Sequence, residues 1–227
     1  MIISFSGLDG AGKTTQIQML LQNYQNIGAS IGSIYTYTPN IRYHHTTELK
    51  NIYKKLSSFD VIHIRYRLNS DMNNFIMQRL ESKAPQQHLL SVAAAIQGYL
   101  DHCELRDYVL NSLLEDNKIL IFDRYYYDEL AFKYTYGCPD FVLKKLYNNV
   151  LDADIKFYIQ IPAIECLKRN RSRPDSKVVL YQNEDYINFL IERFNLIAKR
   201  KELITLNGMD TKEKISQSIL KYVFPQS

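Results

Sequence analysis

The chain has 227 residues, 46% hydrophobic and 23% charged, which suits one sizeable core and a single domain over residues 1–227. Lys and Arg number 28 against 24 Asp and Glu, a net of +4, too slight and too spread for a dedicated nucleic-acid binder. With 12% aromatics disorder is excluded, and no stretch approaches the ~18 uninterrupted apolar residues of a membrane span. The start MIISFSGLDG lacks a secretory pattern. Cys103, Cys138 and Cys166 are too few and too far apart for a disulfide framework or a zinc site. A reducing, cytoplasmic setting is therefore expected. Glycine is scarce, 8 in all, yet Gly7, Gly10 and Gly12 cluster near the start.

In chain order, Ile2 to Ser6 reads as a short apolar strand running into that glycine-rich turn. Thr14 to Tyr24 carries Ile17, Leu20, Leu21 and Tyr24 at helical spacing. Ser33 to Tyr37 predicts a strand ended by Pro39. A long helical pattern covers Gln87 to Leu114, and Lys118 to Phe122 reads as a buried strand. Asp140 to Leu151 is helical, Ile155 to Ile161 a strand stopped by Pro162, and Ala163 to Arg171 a helix. Glu184 to Lys199 is helical, Leu203 to Leu206 a strand ended by Asn207-Gly208, and Thr211 to Val223 a closing helix. Strands alternating with helices give an α/β fold with a mostly parallel sheet covered on both faces. The stretch Glu48 to Ser82 fits least well. Within it, Asp60 to Leu68 alternates, with Ile62, Ile64, Tyr66 and Leu68 on one face and His63, Arg65 and Arg67 on the other. It reads as an edge strand, a helix end or part of an insertion over about residues 48–82.

Gly7-Leu8-Asp9-Gly10-Ala11-Gly12-Lys13-Thr14 matches G-x-x-x-x-G-K-[ST] in full, between an apolar strand and an amphipathic helix. Its glycines let backbone N–H groups face phosphates, and the helix beginning there adds its positive dipole end. Lys13 supplies a charge to the β and γ phosphates, and the Thr14 hydroxyl suits Mg²⁺. The expected ligand is a nucleoside triphosphate, ATP, held by Gly7, Gly10, Ala11, Gly12, Lys13, Thr14 and Thr15. Asp123, at the carboxyl end of the KILIF strand, lies where it can hold Mg²⁺ through water, and the neighbouring Arg124 can clamp a second anionic substrate. Lys168 to Asp175 forms a basic turn broken by Pro174. As a lid over about residues 168–180, it would bring Arg169, Arg171 and Arg173 onto the migrating phosphoryl group and exclude water.

The order GLDGAGKTTQ, DRYYYDELAF and then an arginine-rich segment resembles the thymidylate kinase family of P-loop nucleoside monophosphate kinases, over about residues 1–45 and 87–224. The resemblance implies a three-layer α/β/α fold with a five-stranded sheet, and transfer from ATP to dTMP with Mg²⁺, giving ADP and dTDP. It also implies a homodimer packed through helices. It places Asp9 near the acceptor sugar, Arg124 on the acceptor phosphate, Asn207 beside the adenine, and the catalytic arginines in the lid. The acceptor side departs from the family pattern: Tyr37-Thr38-Pro39-Asn40-Ile41-Arg42 replaces the usual segment after the second strand, leaving Arg42 as a phosphate ligand by position alone. In the middle helix, Gly98 and His102 fall where phenylalanine and arginine are usual, so Tyr99 stacks on the base and His102 bonds its edge in this reading. Phe132 falls near the aromatic that disfavours a ribose 2′-OH. Those departures keep a second expectation open, the same chemistry on another nucleotide, a nucleoside or a small metabolite. A third, a non-enzymatic NTP-binding module, is opposed by the lid arginines and the Asp123-Arg124 pair.

Overall fold

The computed structural model describes residues 1–37, 45–67, 87–171 and 183–225. Its strands are β1 (Ile2–Ser6), β2 (Ile31–Tyr37), β3 (Val61–Arg67), β4 (Ile119–Asp123), β5 (Ile155–Gln160) and β6 (Ile204–Asn207). The helices are α1 (Lys13–Asn26), α2 (His45–Leu56), α3 (Gln87–Leu105), α4 (Asn111–Glu115), α5 (Tyr126–Thr135), α6 (Asp140–Tyr147), α7 (Ala163–Arg171), α8 (Glu184–Arg200) and α9 (Lys212–Val223). A π-helical turn, Arg106–Leu110, joins α3 to α4.

The strands pair in the order β2-β3-β4-β1-β5-β6, and every adjacent pair is parallel. All five residues of β1 are buried. Because successive side chains point to opposite faces, a strand buried throughout is covered on both sides. α1 packs on β1 and β4 and against α9, while α5 packs against α8, and α3 against α5 and α6. The α/β architecture expected from the alternation of elements is the one observed.

Among the described residues the sheet has six strands, not five. The additional strand is β3, in the segment that alternation left open between edge strand, helix end and insertion. It lies inside the sheet, paired with β2 from Ile31↔Val61 to Tyr37↔Arg67 and with β4 from Val61↔Ile119 to Ile64↔Phe122. Val61, Ile62, His63 and Ile64 are all buried, so the polar His63 is as enclosed as its apolar neighbours. A buried histidine in such a run mimics the solvated face of an edge strand. With α2, β2 and β3 make a βαβ unit that extends the sheet. α5, not anticipated from the sequence, follows β4 after one turn; its start is full of tyrosines, and Tyr126 and Tyr127 are completely buried. α6 stops at Tyr147, earlier than expected.

The carboxyl ends of β1, β4, β5 and β6 therefore share one edge of the sheet. Ligands of open parallel sheets bind at this edge.

Candidate active site

The loop after β1 has the backbone that its glycines permit. Gly7, Gly10 and Gly12 have φ of 137°, 83° and 96°, in the region that side chains avoid. Gly7 also runs so close to β5 that a Cβ there would meet the Ile159 carbonyl oxygen at 2.5 Å. Ala11 N–H donates to Leu8 O at 3.2 Å and Gln16 N–H to Gly12 O at 3.1 Å, so the loop turns directly into α1. Lys13, the first residue of α1, is only 6% exposed. Its ammonium curls over the loop and donates to Gly7 O at 2.9 Å and Leu8 O at 2.8 Å. Burial, and then the positive charge of Arg124, lower its pKa to about 8. The Thr14 hydroxyl donates to Asp123 Oδ2 at 3.0 Å, which joins the start of α1 to the end of β4.

Arg124 N–H donates to Phe5 O at 3.0 Å, extending the pairing with β1. The left-handed conformation of Arg124, φ 75°, then breaks the strand. Its guanidinium donates to Gly7 O at 3.2 Å, to Asp128 Oδ1 at 2.9 Å, and to Asp9. Asp128 is buried and also accepts from Gly7 N–H at 3.3 Å. Arg124 is thus a bracket between the phosphate loop and α5, with a carboxylate on each side. Its Cζ lies 5.9 Å from the centre of the Phe132 ring, which places Phe132 beside the arginine.

α7 braces the loop from the other side. Arg169 donates to Gly10 O at 3.0 Å and Gly208 O at 3.3 Å, while Glu165 accepts from its Nε at 2.6 Å. Asn170 Nδ2 donates to Asp9 O at 3.3 Å. Arg169 therefore ties the loop to the Asn207-Gly208 turn, whose Asn207 Oδ1 accepts from Met209 N–H at 3.1 Å. Arg171 is exposed at the end of α7. Arg42, Arg173 and most of the expected lid lie outside the described residues.

One crevice is lined by Asp9, Gly10, Gly12, Lys13, Thr14, Thr15, Arg65, Asp123 and Arg124. Eight of these nine were singled out from sequence. Arg65 was not, nor were Asp128, Glu165 and Asn170, which orient the loop and its arginines. Period-two alternation put Arg65 on one face of a strand but said nothing of where that strand lay.

Tyr99 and His102 on α3 are not among the crevice lining. His102 is buried, its ring 5.6 Å from that of Tyr125 and 6.2 Å from those of Tyr126 and Tyr147, and it faces Glu129 at 3.4 Å. The Tyr147 hydroxyl donates to Glu129 Oε2 at 2.8 Å. Tyr99 stands edge-on to Tyr147 at 6.2 Å. Gly98 makes room for this group, since a Cβ there would lie 2.4 Å from Glu129 Oε2.

Residues 45–219 match the family model for thymidylate kinase. The chain belongs to the thymidylate kinase family. The probable thymidylate kinase of Thermococcus kodakarensis is 26% identical over 227 residues, 98% of this chain and 97% of the relative. That of Pyrococcus abyssi is 23% identical, covering 97% and 94%. The thymidylate kinase of Fervidobacterium nodosum is 22% identical, covering 97% of each. Membership makes the chain an ATP-using kinase of the nucleoside monophosphate kinase class, and the expected enzyme class and recognition both hold. None of the helices, among the described residues, is long and apolar enough to cross a membrane.

Proposed function

We propose that the protein transfers the γ-phosphoryl group of ATP to dTMP, giving ADP and dTDP, within a single domain. The observation that carries this reading is the meeting, in one crevice, of a phosphate loop, a hydroxyl–carboxylate pair and a bracketed arginine, in a chain of this family. The loop amides and the α1 dipole bind the β and γ phosphates. Lys13 exchanges the Gly7 and Leu8 carbonyls for phosphate oxygens and follows the charge that builds as the γ-phosphorus leaves its bridging oxygen. Arg124, with Phe132 beside it, orients the acceptor phosphate, one of whose oxygens forms the new bond as the bond to ADP breaks. Asp9 sits next to Arg124 on the acceptor side of the crevice. Arg169 holds the loop toward the adenine turn at Asn207, and the family pattern assigns Arg171 and Arg173 to the transferring group.

Thr14 and Asp123 present two hard oxygens 3.0 Å apart at the mouth of the loop, which fits Mg²⁺. Held there, the ion would be shared with the triphosphate, whose oxygens complete its coordination. When bound there, Mg²⁺ neutralises charge on the β and γ phosphates.

A homodimer is part of the proposal. Leu89, Ile96 and Leu100 of α3 are 55%, 43% and 50% exposed, and their spacing of seven and four puts them on one helix face. A cytoplasmic location is part of the same proposal, supported by Cys103, Cys138 and Cys166 forming no disulfide and by the substrates. Release of ADP measured with dTMP, dUMP, dCMP and dGMP tests the acceptor; dTMP is expected to give the highest kcat/KM, and preference for another would overturn the assignment.

A further inference from the structure

We infer that Asn170, supported by Cys166 on the same helix, is a positioning residue that aims the Gly10 N–H at a phosphate of ATP. The inference rests on the reading of the loop after β1 as the ATP-phosphate site. Two donors from α7 converge on the Asp9 carbonyl: Asn170 Nδ2 at 3.3 Å and the Cys166 thiol at 3.3 Å. Asn170 Nδ2 also donates to Cys166 Sγ at 3.3 Å, one helical turn back. The two side chains are 6% and 0% exposed, so this small network is enclosed. Glycine at position 10 lets α7 come this near, since a Cβ there would lie 3.2 Å from Arg169 Cβ and 3.5 Å from Asn170 Oδ1.

A trans peptide is planar, and its C=O and N–H point in opposite directions. With the Asp9 carbonyl turned to α7, the Gly10 N–H turns the other way, toward the crevice that Gly10 lines with Gly12 and Lys13. Two other loop amides are already committed, Gly7 N–H to Asp128 and Ala11 N–H to Leu8 O. Among the described residues nothing accepts from the Gly10 N–H. The backbone alone does not fix its direction. Gly10, at φ 83°, has no side chain to oppose rotation of the peptide before it, because glycine takes either sign of φ readily. A rotated peptide would present the Asp9 carbonyl to the phosphates, oxygen against oxygen. Asn170 and Cys166 hold that carbonyl back, and the N–H is left to make a charge-assisted bond, the stronger kind. Asp9 is thereby held twice, its carbonyl by α7 and its carboxylate by Arg124.

Calorimetric titration of the full chain with MgATP, with no acceptor present, tests this. The wild type is measured first; a wild type that binds no MgATP overturns the ATP reading, and the inference with it. Asn170→Ala should raise the MgATP Kd about tenfold, the worth of one hydrogen bond to a charged group. Asn170→Asp keeps the side chain's shape and replaces the donor with an acceptor, so its Kd should rise at least as far. It also serves as the test if Asn170→Ala does not fold. A role in packing alone would leave Asn170→Asp near wild type. In initial rates the acceptor KM should stay within twofold for either variant. An MgATP Kd within twofold of wild type in a folded variant, or an acceptor KM that rises as far as the MgATP Kd, overturns the inference.

Discussion

Gly7 and Gly12 belong to one motif and both have left-handed backbones, yet the structure assigns them different costs. An alanine at Gly7 would put its Cβ 2.5 Å from the Ile159 carbonyl oxygen, part of the rigid β5 backbone. The left-handed conformation costs about 1–2 kcal/mol and an overlap in a packed interior about 1–3 kcal/mol more. Gly7→Ala should therefore lose about 2–5 kcal/mol, which in a domain of this size lowers Tm by about 5–15 °C. At Gly12 nothing lies within 4 Å of the added carbon, so only the backbone cost remains, about 1–2 kcal/mol. Gly12 lines the crevice, however, so its methyl enters space that phosphates need. Thermal melts followed by circular dichroism, with and without MgATP, separate the two costs. The wild type at a hundred times Kd should gain about 2.7 kcal/mol. Gly12→Ala should melt about 2–8 °C below the wild type and lose most of that gain, whereas Gly7→Ala should melt lower still without ligand. If Gly7→Ala melted within about 2 °C of wild type, or below it by less than Gly12→Ala, the packing argument would be wrong.

Two further outcomes follow from buried charges. Lys13, with its pKa lowered to about 8, is charged below that pH and loses its proton above it, so kcat/KM for ATP should fall about tenfold per pH unit on the alkaline side; Lys13→Ala should lower kcat about a hundredfold or more and abolish that limb, and a flat profile to pH 9.5 would refute the role. Asp101 on α3, beside Gln97, is pushed up to about 8, first by burial and then by the charges of Glu129 and Glu104. The folded state then holds a proton that the unfolded state has released, and stability falls as pH rises from about 4 to about 8. Asp101→Asn removes that loss, about 3 kcal/mol between pH 5.5 and pH 8, so its Tm advantage over wild type should grow by about 6–12 °C across that interval; a constant difference would sink the assignment.

The phosphate loop was legible because its geometry is local: glycine φ values, a strand before and a helix after fix it within eight consecutive residues. Asp123 and Arg124 were legible for a related reason, since a charged pair at the end of a buried strand has one place to point in a parallel sheet. What was not legible depends on partners distant in sequence. Arg65 became part of the site only when β3 paired with β4, and alternation could not tell an interior strand carrying a buried His63 from an edge. Asp128 read as one more polar residue after a run of tyrosines, yet it fixes Arg124 and Gly7 together. Glu165 and Asn170 likewise looked like surface positions of a basic helix until α7 settled against the loop. His102, expected on the acceptor's base, instead faces Glu129 amid three tyrosine rings.

The central claim is that this crevice moves a phosphoryl group from ATP to dTMP. Following the γ-phosphorus label of ATP into product tests it most directly. One labelled dTDP should appear for each ADP formed, with the label absent from inorganic phosphate and both products formed about a hundredfold more slowly, or slower still, in Lys13→Ala. ADP formed with free labelled phosphate and no labelled dTDP would contradict the account.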